Sequence, residues 1–300
     1  MFDIYVDSKL RGHRGAIYKI IQAKDPGSFF SAGGDGWIIK WNPNLSEDGV
    51  LIARDEDNIF TLCHHPDDAL LAGTLQGNLL HIDLKNGAAR KLVHHKKGLY
   101  DIHIWNEKII TLGGDGRLTF WDAKQLLPSD TYKISHKPIR RLAIHKERQL
   151  GFIACSDGDI YIMDLTSGKI VNQIFQAHQG AVFSLAFDRL GARLISGGLD
   201  AMLKVWDLDT FQSIAKLPAH WFTVNDIAVN STLDLVATAS RDKTIKIWNA
   251  QDLELLKVVD YQKFQTHQHS VNSIMWSNDG KRLISGSDDR TICVIDILSV

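Results

Sequence analysis

The 300-residue chain carries 34 Lys and Arg against 35 Asp and Glu, a formal net charge of −1, and 44% of its residues are hydrophobic. This is the composition of an ordinary globular protein, long enough to bury roughly three quarters of its unfolded surface without staples, and it offers no broad electrostatic pull toward nucleic acid or anionic lipid. The three cysteines, Cys63, Cys155 and Cys293, are odd in number and far apart; they read as reduced, mostly buried thiols rather than a disulfide framework or a zinc site.

At the N-terminus, "FDIYVDSKL" alternates Phe2, Ile4 and Val6 with Asp3, Tyr5 and Asp7, the pattern of a half-buried strand. The two aspartates interrupt the apolar core that a secretory signal needs, and no apolar segment approaches 18 residues. A soluble cytoplasmic protein is therefore expected, monomeric on its own.

Further along, one pattern returns seven times. It reads "GGDGWIIKWN" ending at Asn42, "TLQGNLLHID" at Asp83, "GGDGRLTFWD" at Asp122, "CSDGDIYIMD" at Asp164, "GLDAMLKVWD" at Asp207, "SRDKTIKIWN" at Asn249 and "SDDRTICVID" at Asp296. Successive end points lie 39 to 47 residues apart, the spacing of four-stranded repeats. Five copies also have a front half, a histidine followed four residues later by an apolar anchor: His13 and Ile17, His95 and Leu99, His178 and Val182, His220 and Val224, His267 and Val271. A second apolar position follows three residues on, at Ile20, Ile102, Leu185, Ile227 and Ile274. Between these landmarks the runs are short, rich in β-branched and aromatic residues and cut by Gly, Asp, Asn or Pro, which predicts many short strands and no amphipathic helix.

Taken together, these seven copies resemble the WD40-repeat family of β-propellers over nearly the whole chain. The resemblance implies an all-β fold: a single seven-bladed propeller of four-stranded antiparallel blades spanning 1–300, with no internal domain boundary. The sequence runs out at "IDILSV", after the third strand of the seventh copy, so residues 2–9 are expected to supply the outer strand of the last blade.

In the family, a histidine before the first strand, a Ser or Thr in the second, a turn Asp and a Trp in the third form a hydrogen-bonded network. The resemblance assigns these roles to His13, Ser31, Asp35 and Trp41; to His95, Thr111, Asp115 and Trp121; to His178, Ser196, Asp200 and Trp206; and to His220, Thr238, Asp242 and Trp248. The seventh copy keeps His267, Ser285 and Asp289 but has Ile295 for the Trp. The second copy, with Ala72, Gln76 and Ile82, and the fourth, with Ile153 and Met163, lose several members together, which avoids stranding polar groups.

These repeated sets argue against a Ser/His/Asp hydrolase, because an active site does not come in four copies. The pairs His64 and His65, and His94 and His95, would point to opposite faces of a strand and cannot easily chelate together. No metal and no cofactor is expected, and "GGDG", found twice, is a strand turn rather than a phosphate cradle. The basic stretch "HHKKG" at 94–98, with Arg140 and Arg141, reads as a solvated loop that could touch an acidic partner.

Family members commonly bind partners on the face bearing the loops into the first strand. The resemblance places Tyr18, Phe60, Tyr100, Arg140, Phe183, Asn225 and Asn272 there, each one residue past a blade's first anchor. Four aromatics and one arginine among seven is unlike ordinary surface. Trp221 and Phe222 in "HWFTVN", with Arg241, extend the candidate surface. The expected function is a non-enzymatic scaffold holding a protein or peptide, with aromatic anchors and Arg140 or Arg241 reading a carboxylate. In the bland alternative, Phe60 and Phe183 only plug the channel. A ligand- or metal-binding enzyme of the channel is the competing class, and nucleic acid, which would call for a basic stripe, is a lesser one.

Overall fold

The computed structural model describes residues 2–299, in seven four-stranded antiparallel sheets; the first and last residues of the expected 1–300 span lie outside the described residues. Each sheet is a blade, most buried at its second strand and least at its outer one. The second strands, such as Phe29–Gly33, Ala69–Thr74 and Leu235–Ser240, are buried along their whole length. Neighbouring blades cover both of their faces, so they tolerate only apolar and small residues. Outer strands such as Ala89–Val93 and Leu127–Lys133 are almost wholly exposed and read as mixed polar sequence.

The core therefore lies between blades. One apolar cluster joins Ile195, Leu203 and Val205 of blade five to Val224, Ile227, Val236 and Trp248 of blade six. Another joins Leu10, Ile284, Ile292 and Val294 of blade seven to Ile17, Ile20, Phe29 and Trp41 of blade one. That second cluster closes the ring.

The N-terminal strand, Phe2–Arg11, pairs antiparallel with Thr291–Ser299, from Phe2 opposite Ser299 to Arg11 opposite Thr291. It runs two residues beyond the expected 2–9. Its alternation buries Ile4 and Leu10 and leaves Tyr5 exposed. The seventh repeat, whose end lies furthest from its predecessor's, also holds one helical turn, Tyr261–Phe264, where Asp260 accepts a hydrogen bond from the Lys263 amide. Among the described residues no helix is long and apolar enough to cross a membrane.

Candidate interaction site on the upper rim

Every inner strand breaks its register once, directly after the first anchor: between Ile17 and Lys19, Ile59 and Thr61, Leu99 and Asp101, Ile139 and Arg141, Val182 and Ser184, Val224 and Asp226, and Val271 and Ser273. The skipped residues are Tyr18, Phe60, Tyr100, Arg140, Phe183, Asn225 and Asn272, the seven positions singled out from sequence. A β-bulge leaves one residue unpaired and re-aims its side chain. Seven bulges in register give one collar.

All seven collar residues are half-buried. The Tyr18 ring centroid lies 4.9 Å from that of Phe60, which lies 5.5 Å from that of Tyr100. The Arg140 guanidinium lies 4.4 Å from the Tyr100 centroid and 5.3 Å from that of Phe183. Asn225 donates to Ser270 Oγ and the Val271 carbonyl, and Asn272 donates to the Ile17 carbonyl at 3.0 Å. Contacts thus run from blade one to blade five through rings and from blade six back to blade one through amides. The two asparagines spend their donors inside the fold. Second glycines of the "GGDG" turns make room for this arrangement: a Cβ on Gly114 would stand 2.8 Å from the Tyr100 ring.

Outside the collar, Trp221 and Phe222 are 86% and 59% exposed. Their loop is tied to the turn of blade five, with the Ala219 and His220 amides donating to the Ala201 carbonyl, and that turn carries the exposed Leu199. Arg241 is also exposed, on the next turn.

One residue below the collar lies a layer that sequence reading did not single out: Lys19, Thr61, Asp101, Arg141, Ser184, Asp226 and Ser273. Arg141, grouped from sequence with a surface loop, instead reaches from blade four to Asp226 of blade six at 2.9 Å and to within 3.9 Å of Asp101 of blade three. The bulge sends Arg140 to the rim and its neighbour inward. Asp101 also accepts from His103 and from the Leu142 amide, both at 2.9 Å, and Asp226 accepts from the Ile274 amide at 3.1 Å. Each aspartate thereby stitches its own blade to the next. Burial would raise the Asp101 pKa, but His103, Arg141 and Lys19 outweigh it and hold the carboxyl far below its usual range. Burial, reinforced by Arg141, lowers that of Lys19. One signal for this layer was available: the position two residues past each first anchor is polar in all seven copies, although Arg140, Asn225 and Asn272 beside it are polar too.

The four assigned networks are hydrogen-bonded in the interior. His13 donates from Nδ1 to Asp35 at 2.9 Å, while Ser31 Oγ meets His13 Nε2 and receives the Trp41 indole N–H, each at 2.7 Å. His95, Thr111, Asp115 and Trp121 repeat the pattern, as do His178, Ser196, Asp200 and Trp206, and His220, Thr238, Asp242 and Trp248. In blade seven His267 keeps Ser285 and Asp289, and Cys293 Sγ lies 4.0 Å from its Nδ1. Burial pushes the His267 pKa down, but Cys293 and Asp289 together lift it to about 9. Blade four retains Asp157, which accepts from Ser135 at 2.7 Å and Tyr161 at 2.9 Å. In blade two the acid moves to the incoming loop, where Asp57 accepts from the Gln76 amide at 2.7 Å. The side chains that could imitate a hydrolase are committed to joining turn to strand.

Residues 169–207, 211–249 and 259–296 match the family model WD40, described as "WD domain, G-beta repeat". The chain is a seven-bladed propeller, three of whose repeats match the WD40 model. The WD40 fold is shared with the structure titled "Crystal structure of WD40 beta propeller domain of Doa1", at a TM-score of 0.84 and 17% identity, over 99% of this chain and 97% of that one. Among curated proteins it is similar to Autophagy-related protein 16 of Arabidopsis thaliana, 23% identical over 95% of this chain. It is also similar to WD repeat-containing protein 37 of Homo sapiens, 26% identical over 65% of this chain. It spans 57% of the former and 38% of the latter.

Proposed function

We propose that this WD40 propeller is a non-enzymatic scaffold that receives a segment of a partner protein on its upper rim. One observation carries the reading: seven bulges bring a side chain from every blade to one channel mouth, and five of those side chains are aromatic or arginine. Aromatics and arginine dominate binding energy at interfaces, and the exposed Trp221, Phe222 and Leu199 widen the patch. Similarity to proteins with names as different as Autophagy-related protein 16 and Mitochondrial division protein 1 agrees with a common scaffold serving different partners. The competing reading, an enzyme or ligand site in the channel, would need free charged groups there; Arg141, Asp101 and Asp226 are instead committed to one another and to backbone amides, and the groups of that layer without a partner among the described residues include the Thr61 and Ser184 hydroxyls.

The test is alanine at Tyr18, Phe60, Tyr100 and Phe183 in one variant, followed by affinity purification. A folded variant that loses a specific co-purifying protein supports the scaffold. An unchanged set of partners removes it.

A further inference from the structure

Given a partner segment on this rim, on which reading the following rests, we infer that the segment is acidic and that Arg140 takes one of its carboxylates. Arg140 is prepared for that task as no other rim cation is. Its guanidinium lies between the rings of Tyr100 and Phe183, at 4.4 and 5.3 Å from their centroids, and its Nε donates to Ser156 Oγ at 2.8 Å. Among the described residues neither terminal amino group has a hydrogen-bond partner. A planar fork held at its root and packed against two rings, with its two outer nitrogens free, matches a carboxylate bidentately and loses little rotamer freedom on binding. Arg241, exposed and unstacked, would have to be ordered first.

The surroundings have the same sign. Two adjoining loops present the exposed Lys96, Lys97, His136 and Lys137. They meet around the blade-three turn: Lys97 packs beside Gly114, and the Ser135 amide donates to the Gly116 carbonyl. The acids of this quadrant are already used. Asp115 is held by His95 and the amides of Lys96 and Arg117, Asp157 by Ser135 and Tyr161, and Asp159 by the Gln173 side chain and the Gln176 amide. In a chain of net charge −1 these loops gather several exposed cations at one place, a complement to a short acidic segment rather than to a nucleic-acid track or a membrane plane. On the blade-five turn and the entry to blade six, past Phe183 from Arg140, Leu199, Trp221 and Phe222 offer the apolar contact for the rest of that segment.

The experiment is selection of a displayed random-peptide library on the intact chain, followed by affinity measurement of the selected peptides, synthesised with a fluorescent label, against variants that pass a melting control. Expected are sequences enriched in Asp or Glu whose Kd weakens roughly 10- to 100-fold in Arg140→Gln, the loss of a charge-assisted hydrogen-bonded pair. Arg140→Lys should recover only part of that loss, Lys137→Glu should weaken binding several-fold, and added salt should weaken it in the parent protein. Peptides that are lost in the collar alanine variant but carry no acidic bias, or that bind Arg140→Gln unchanged, overturn the inference and leave the rim-docking function standing. Selected peptides indifferent to the collar variant overturn both. Labelled oligo-dT or phosphatidylserine vesicles binding with the same Arg140 dependence, where no acidic peptide is selected, would also overturn it.

Discussion

Replacing Arg141 by methionine keeps most of the aliphatic stem and removes the guanidinium that ties blade four to blade six. Asp226 then retains only backbone donors, the amides of Ile227 and Ile274 at 3.1 Å each, while Asp101 keeps His103. Deleting one partner of a buried ion pair costs about 3–5 kcal/mol. The lower end applies, because the Arg141 side chain is 17% exposed and Asp101 has a second cationic neighbour. With an unfolding entropy of ~2.1 cal/mol/K per residue, a loss of ~3 kcal/mol in a chain of this length lowers Tm by roughly 5 °C, readable by scanning calorimetry. Asp226→Asn, which keeps an acceptor and removes the charge, should make the arginine dispensable, so that the double variant is less destabilised than the sum of the singles by ~1–2 kcal/mol. Acid sensitivity should fall. The depressed Asp101 pKa contributes stability that is complete above its unfolded value of ~3.9 and lost as pH falls below it; without Arg141 the carboxyl is less depressed, so less is lost and the Tm gap between variant and parent narrows in acid. An Arg141→Met protein that melts within ~1 °C of the parent, or strict additivity with Asp226→Asn, would refute the keystone reasoning.

Two further outcomes follow from closure and from blade seven. Deleting residues 2–11 uncovers the ladder edge of residues 291–299 and the cavities left by Ile4 and Leu10, so Tm should fall by roughly 10 °C or more; an unchanged melting temperature would show that the ring does not depend on this strand. His267, lifted to about 9 above its unfolded value of ~6.5, contributes stability that is complete below ~6.5 and disappears as pH rises through 9. Thermal melts from neutral to mildly alkaline pH should therefore decline more steeply in the parent than in His267→Gln, and equal slopes would exclude His267 as the cause.

Much of the architecture was legible because it is periodic. The seven Trp-Asp-like endings fix the third strands, the histidine anchors fix the first, and the alternation of Phe2, Ile4 and Val6 marks the closing strand. What stayed hidden depends on register. Nothing in "IRRLAIH" distinguishes Arg140 from Arg141; only the break between Ile139 and Arg141 sends one to the rim and the other across the channel. The reversal in blade two, where Asp57 rather than a turn residue supplies the carboxylate, was equally invisible, because the composition of that loop does not say which backbone amides will face it. The helical turn at 261–264 occupies the repeat with the longest interval, where the sequence offered length but no amphipathic pattern.

The same register break separates binding from stability. A collar residue has no Cα partner in the inner ladder, so truncating its side chain disturbs contacts at the channel mouth but strands no ladder hydrogen bond. One position further on the balance reverses, since Asp101, Asp226 and Ser273 accept from the next blade's amides at Leu142, Ile274 and Ile20, and losing any of them leaves a buried donor unsatisfied. Adjacent residues on the same strand thus carry opposite liabilities: Tyr18, Phe60, Tyr100, Arg140 and Phe183 can vary at little cost to folding, while Asp101, Asp226 and Ser273 are held polar by the amides of the next blade. That is the arrangement a scaffold needs if its rim is to be matched to a partner without retuning the blades, and it is why loss of binding in rim variants that melt normally can be read as lost recognition.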